Sequence, residues 1–170
     1  MVELATLQAV SYTAAALGVC FAAVYYVMVL RHQKKTRQAQ MFMNIYDKMM
    51  SKDFMSDWDK VVMSPWSTWD EWKGMYDGDD EFHEAELSTQ GFYEGVGVLV
   101  REGLLPIRMV ALLMCGMTRR YWERHMVMIE EGRRWTGHRR WYSEAEYLYD
   151  ELVRYLGEHP ELDTRVEQPL

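Results

Sequence analysis

The chain has 170 residues, a formal net charge of −7 at pH 7, 49% hydrophobic residues and two cysteines. The charge is unevenly spread: residues 1–37 hold four Lys/Arg against Glu3, a balance of +3, which leaves −10 for the remainder. That acidity argues against nucleic acid, whose binding needs a basic face, and two cysteines give no disulfide framework.

From Leu4 to Leu30 there is no charged side chain. A helix rising about 1.5 Å per residue needs roughly 20 apolar residues to cross a bilayer core. The stretch therefore predicts a transmembrane helix anchored by Leu4, Leu17, Phe21, Tyr25, Tyr26 and Leu30. Tyr25 and Tyr26 fall near its inner end, where amphipathic rings favour the headgroup zone. Arg31, Lys34, Lys35 and Arg37 follow, with no acid before Asp47. Positive residues beside a span stay cytoplasmic, which predicts an N-terminus outside and a cytoplasmic C-terminal domain. A cleaved signal peptide would need a positive n-region and a shorter apolar core. Glu3 and the length of the run speak against that. Ala14 and Gly18 have the spacing of a close helix contact, though alanine-rich spans reach it by chance.

The fold class predicted is all-α: one N-terminal transmembrane helix continuing into a cytoplasmic bundle of about five helices. Three regions follow, 1–37 for the tail, span and basic run, 38–157 for the helical domain, and 158–170 for a flexible tail. Met41, Phe42, Ile45, Tyr46, Met49 and Met50 form an inward stripe with no Pro or Gly before Ser51, so the membrane helix should run on and become amphipathic. Ser51 starts a second helix, with Phe54, Trp58, Val61 and Val62 on one side and Pro65 as its end. Ser67 and Asp70 can box the start of a short helix through about Tyr76, with Trp66, Trp69 and Trp72 as an aromatic ridge. Gly78 to Asp80 supply a turn.

Glu84–Glu102 is expected to be a buried helix stopped by Gly103, with Gly91 and Gly95 admitting a close neighbour. A strand over Val96–Val100 is the alternative. Pro106 should open one long helix through Glu131, stopped by Gly132, with Ile107, Val110, Leu113, Met114, Met117, Tyr121 and Trp122 inward. Ser143 and Glu146 make a capping box, and Tyr142 with Tyr147 a staple, for a last helix to Leu156. Gly157 and Pro160 close it.

Candidate chemistry is sparse. Asp79, Asp80, Glu81, His83, Glu84 and Glu86 form the most acidic stretch, which reads as a solvated helix start. His83 and Glu86 are weak metal candidates, i and i+3 on one helix, but no second such pair exists for a di-metal site. No cofactor is expected. The histidines are scattered, and no nucleophile–base order is recognisable. A metal-dependent enzyme requires His83, Glu86 and His125 to meet in space. Cys115 reads as an inert core thiol. Seven Trp and eleven Tyr point to aromatic core packing ahead of a ligand cage. The basic part, with Arg119, Arg120, Arg124, Arg133, Arg134 and Trp135, is expected to pair internally or to contact an acidic partner.

The segments QAQMFMNIYDKMMSKDFMSDWDKV, FYEGVGVLVREGLL and YWER resemble a family of prokaryotic single-span membrane proteins grouped as a domain of unknown function. The likeness covers about residues 38 to 155. It implies an N-terminal span and a cytoplasmic helical domain, and it brings no catalytic residues. The leading expectation is a membrane-anchored accessory subunit, in contact with the lipid bilayer and either self-associating or bound to a protein partner. A sensor with an aromatic ligand pocket is the alternative.

Overall fold

The described residues form seven α-helices, most of them bounded by capping side chains, glycines or prolines: α1 (Val2–Met49), α2 (Lys52–Met63), α3 (Trp69–Gly78), α4 (Asp80–Arg101), α5 (Ile107–Leu113), α6 (Cys115–Thr136) and α7 (Ser143–Glu158). A short 3₁₀ turn, Pro160–Leu162, follows. The computed structural model describes residues 2–163, and no strand occurs among them. The all-α expectation holds, with six helices after the first rather than about five. The far end of the expected C-terminal tail, residues 164–170, lies outside the described residues.

Contacts divide the chain into two units at Met41 and Phe42. In the first unit, α1 is long and apolar enough to cross a membrane, and none of its most apolar window is buried. Leu4, Leu17, Phe21, Tyr25, Tyr26 and Leu30 are all exposed.

The second unit encloses its own core. The end of α1 adds Phe42 and Met49, and α2 adds Phe54, Trp58, Val61 and Val62, all buried as the stripes predict. α4 is the hub, packing most extensively on α7 and α2. It stops where expected: Gly103 takes a left-handed φ of 64°, which an L side chain would resist. Five of the seven tryptophans, Trp58, Trp66, Trp69, Trp72 and Trp122, are in the core.

Several local expectations need correction. The box that opens α3 is Thr68 with Glu71, shifted one residue from Ser67 and Asp70. Ser67 instead donates its amide and hydroxyl to the Glu71 carboxylate, at 2.7 and 2.9 Å. These bonds hold the Glu71 carboxyl below its ordinary value, the Ser67 amide having the largest effect. α4 begins four residues earlier than expected because the Asp79 side chain accepts from the Phe82 amide. Gly91 and Gly95 face open space; the glycine that admits a neighbour is Gly97, where a Cβ would lie 2.1 Å from the Glu144 carbonyl oxygen. The long helix after Pro106 is broken at Met114, which serves as C-cap of α5 and N-cap of α6. Gly132 does not stop α6. It is buried within the helix, where a Cβ would meet the Trp141 and Trp69 rings, and the stop is Gly137 in left-handed geometry.

The Ser143–Glu146 box is not formed either. Tyr142 precedes α7 at a positive φ of 58° and provides no side-chain cap. The acceptor comes from α4: Glu94 Oε1 takes the amides of Glu144 and Ala145, each at 3.1 Å. Burial raises the Glu94 carboxyl above its ordinary value, outweighing the two amides that favour the anion. Glu94→Ala should cost about 1 kcal/mol as a lost cap. Glu94→Gln keeps an acceptor and removes the burial penalty of the charge. A raised native value means that the folded chain binds the proton more tightly, so native stability falls as pH rises through the carboxyl range. The Gln variant should therefore gain on the native chain as pH rises from 4 to 7, read from paired thermal melts.

Candidate functional site

α4 places Phe82, Ala85, Glu86, Thr89, Tyr93 and Val96 on its inner face at three- and four-residue steps, and all are buried. One of these inward positions is an acid. Glu86 is fully buried, not part of a solvated helix start, whereas Asp80, Glu81 and Glu84 are exposed. Its carboxylate is met from α6 and from the residue that precedes α7. The Tyr142 hydroxyl donates to Oε1 at 2.5 Å, and His125 Nε2 lies 3.3 Å from Oε2. His125 Nδ1 sits 2.7 Å from the Tyr121 carbonyl oxygen.

These contacts fix the proton inventory. A backbone carbonyl only accepts, so Nδ1 carries a hydrogen. A hydrogen bond between Nε2 and Oε2 then takes one further proton. Tyr142 stays a donor throughout, because burial pushes its hydroxyl well above the ordinary value, with Tyr121 and Glu86 adding to the shift.

Aromatic rings wall the cluster. Tyr121 stacks on Tyr93 at 4.1 Å between ring centres and lies 4.2 Å from His125, while Trp66 meets His125 edge-on at 5.2 Å. Trp58 Nε1 donates to the Tyr93 hydroxyl at 3.0 Å. The Tyr121 hydroxyl lies beside those of Thr89 and Tyr142 without reaching hydrogen-bond geometry. Glu86 and His125 are both sealed from solvent. The cluster can hold and share a proton and fix the register of α4, α6 and α7.

Glu86 and His125 thus meet, as the metalloenzyme reading requires, but His83 does not join them. Its ring stacks on Tyr76 at 4.0 Å, with Nδ1 3.1 Å from the Tyr76 carbonyl oxygen. Among the described residues no group of three or more His, Cys, Asp or Glu side chains is placed to hold a metal ion. Cys115 is buried in the core.

The arginines divide into two sets. Arg124 clamps the loop between α2 and α3: it donates to the carbonyls of Ser64 (2.7 Å) and Trp66, and its guanidinium lies 4.0 Å from the Trp66 ring centre. Burial lowers its pKa. Arg119 bonds Asp163 at 2.8 Å, and Arg133 lies 2.7 Å from the Glu146 carboxylate. These three are taken up by their own chain. Arg120 touches the Met63 sulfur at 3.1 Å and remains exposed. Arg134 and Trp135 are also exposed, at the end of α6.

The helical spacing of Phe82, Glu86, Thr89 and Tyr93 carried the signal for a buried acid. The local density of carboxylates hid it.

A family model described as a domain of unknown function, DUF4760, matches residues 12–152. No curated protein and no solved structure matches the chain.

Proposed function

The chain belongs to the DUF4760 family, a domain of unknown function, and on that footing we propose that it is a membrane-anchored helical accessory subunit. The observation that carries this reading is the contrast between the two units. Every large apolar side chain from Leu4 to Met28, and Leu30 after them, is exposed, whereas the second unit buries its own aromatic core. Exposed apolar surface on this scale calls for a covering phase, and a helix of this length suits lipid. Arg31, Lys34, Lys35 and Arg37 support a cytoplasmic second unit, with the segment before the span outside. The sealed Glu86–His125 cluster favours a binding role over catalysis, and the partner is a second copy or another membrane protein.

Alkaline carbonate should leave the chain in the membrane pellet. After mild detergent extraction, its mass by light scattering should exceed one chain over a wide range of dilution. Release by carbonate would overturn the anchor. A strict, unaccompanied monomer at every concentration would overturn the subunit role.

A further inference from the structure

Within the second unit, cations are densest where α6 ends. Arg133, Arg134, Arg139 and Arg140 fall within eight positions together with His138, and no acid lies between Glu131 and Glu144. The four arginines are held differently. Arg133 is fixed, donating from Nε to the Trp141 carbonyl at 2.8 Å and facing Glu146. Arg134 is held loosely, 3.8 Å from Glu130, with both side chains largely in solvent. Arg139 and Arg140 are exposed, and their side chains have no partner among the described residues.

Gly137, at a φ of 72°, turns the chain back so that Arg139 rejoins the end of α6. Arg133, Arg134, Gly137 and Arg139 then line a cleft of about 390 Å³. Three arginines on one open cleft, Arg139 unpaired and Arg134 only loosely paired with Glu130, are a local reversal of sign in an otherwise acidic body. Their planar forks match the oxygens of a phosphate group in pairs.

We propose that this cleft binds a phosphate-bearing anion, with Arg134 and Arg139 closing on it against the fixed wall of Arg133. Free phosphate compounds and anionic lipid headgroups offer the same chemistry. The site stands independently of the anchoring and subunit readings.

Thermal unfolding of the full chain tests it in two arms. In neutral detergent, inorganic phosphate is compared with chloride at matched ionic strength. In nanodiscs, phosphatidylcholine alone is compared with phosphatidylcholine plus phosphatidylglycerol. Each arm uses the native chain, R134A/R139A, and R108A, which removes an exposed arginine elsewhere. Ligand at about ten times its dissociation constant should raise the Tm of the native chain and R108A by about 3 °C more than that of R134A/R139A. The gap in the first arm identifies a free phosphate ligand, and a gap confined to the second identifies a headgroup. Equal shifts for all three chains in both arms overturn the site, because general salt effects and the basic run of Arg31–Arg37 act on all three alike.

Discussion

Glu86→Ala should lower the unfolding free energy by about 3–5 kcal/mol, a large part of what a domain of this size has to lose. The truncation leaves a cavity and strands two polar groups in a dry interior. The Tyr142 hydroxyl loses its acceptor, and His125 Nε2 loses the carboxylate 3.3 Å away. Glu86→Gln keeps the shape of the side chain and a partner for each neighbour. The Gln carbonyl accepts from Tyr142 and its amide donates to the imidazole, so every bond survives and the cost stays below about 1 kcal/mol. Thermal and urea unfolding of the full chain in mild detergent measures both. A negligible effect for Ala would mean that the cluster does not hold the helices together.

Gly97→Ala should be the most damaging single-methyl change in α4, costing about 3 kcal/mol. The new Cβ would lie 2.1 Å from the Glu144 carbonyl oxygen and 2.6 Å from its carbon. Backbone cannot swing aside as a side chain can, so α4 and α7 must separate where Glu94 caps α7. The same substitution two residues earlier should act in the opposite direction. Gly95 faces open space in the same helix, and Ala there should gain about 0.5–1 kcal/mol from helix propensity alone. Far-UV melts of the two variants provide a paired comparison. Equal costs would contradict the close approach of α4 to α7.

Much of the fold was legible because it is written in local periodicity. The Phe54, Trp58, Val61 and Val62 stripe, the Gly103 stop and the uncharged run of α1 depend on residues a few positions apart. What escaped depends on distant parts of the chain. Glu94 caps a helix fifty residues further on, a pairing that no local capping box announces. Gly132 reads as a helix terminator, yet it is needed so that the Trp69 and Trp141 rings can approach the α6 backbone. The break at Met114 carries no proline or glycine of its own, so an unbroken apolar pattern concealed it. Arg119, Arg124 and Arg133 could equally have faced a partner by sequence, and only tertiary placement shows them tied to their own chain. Glu86 was noticed for its spacing from His83, when its actual partners lie on α6 and at the start of α7.

The borrowed cap of α7 bears on how this protein opens. Since the first amides of α7 are satisfied by a carboxylate from α4, neither helix can fray there alone, and both belong to one cooperative foldon. The Glu144 and Ala145 amides should then exchange with deuterium at the rate of the α4 interior, far more slowly than the free end of an ordinary helix would.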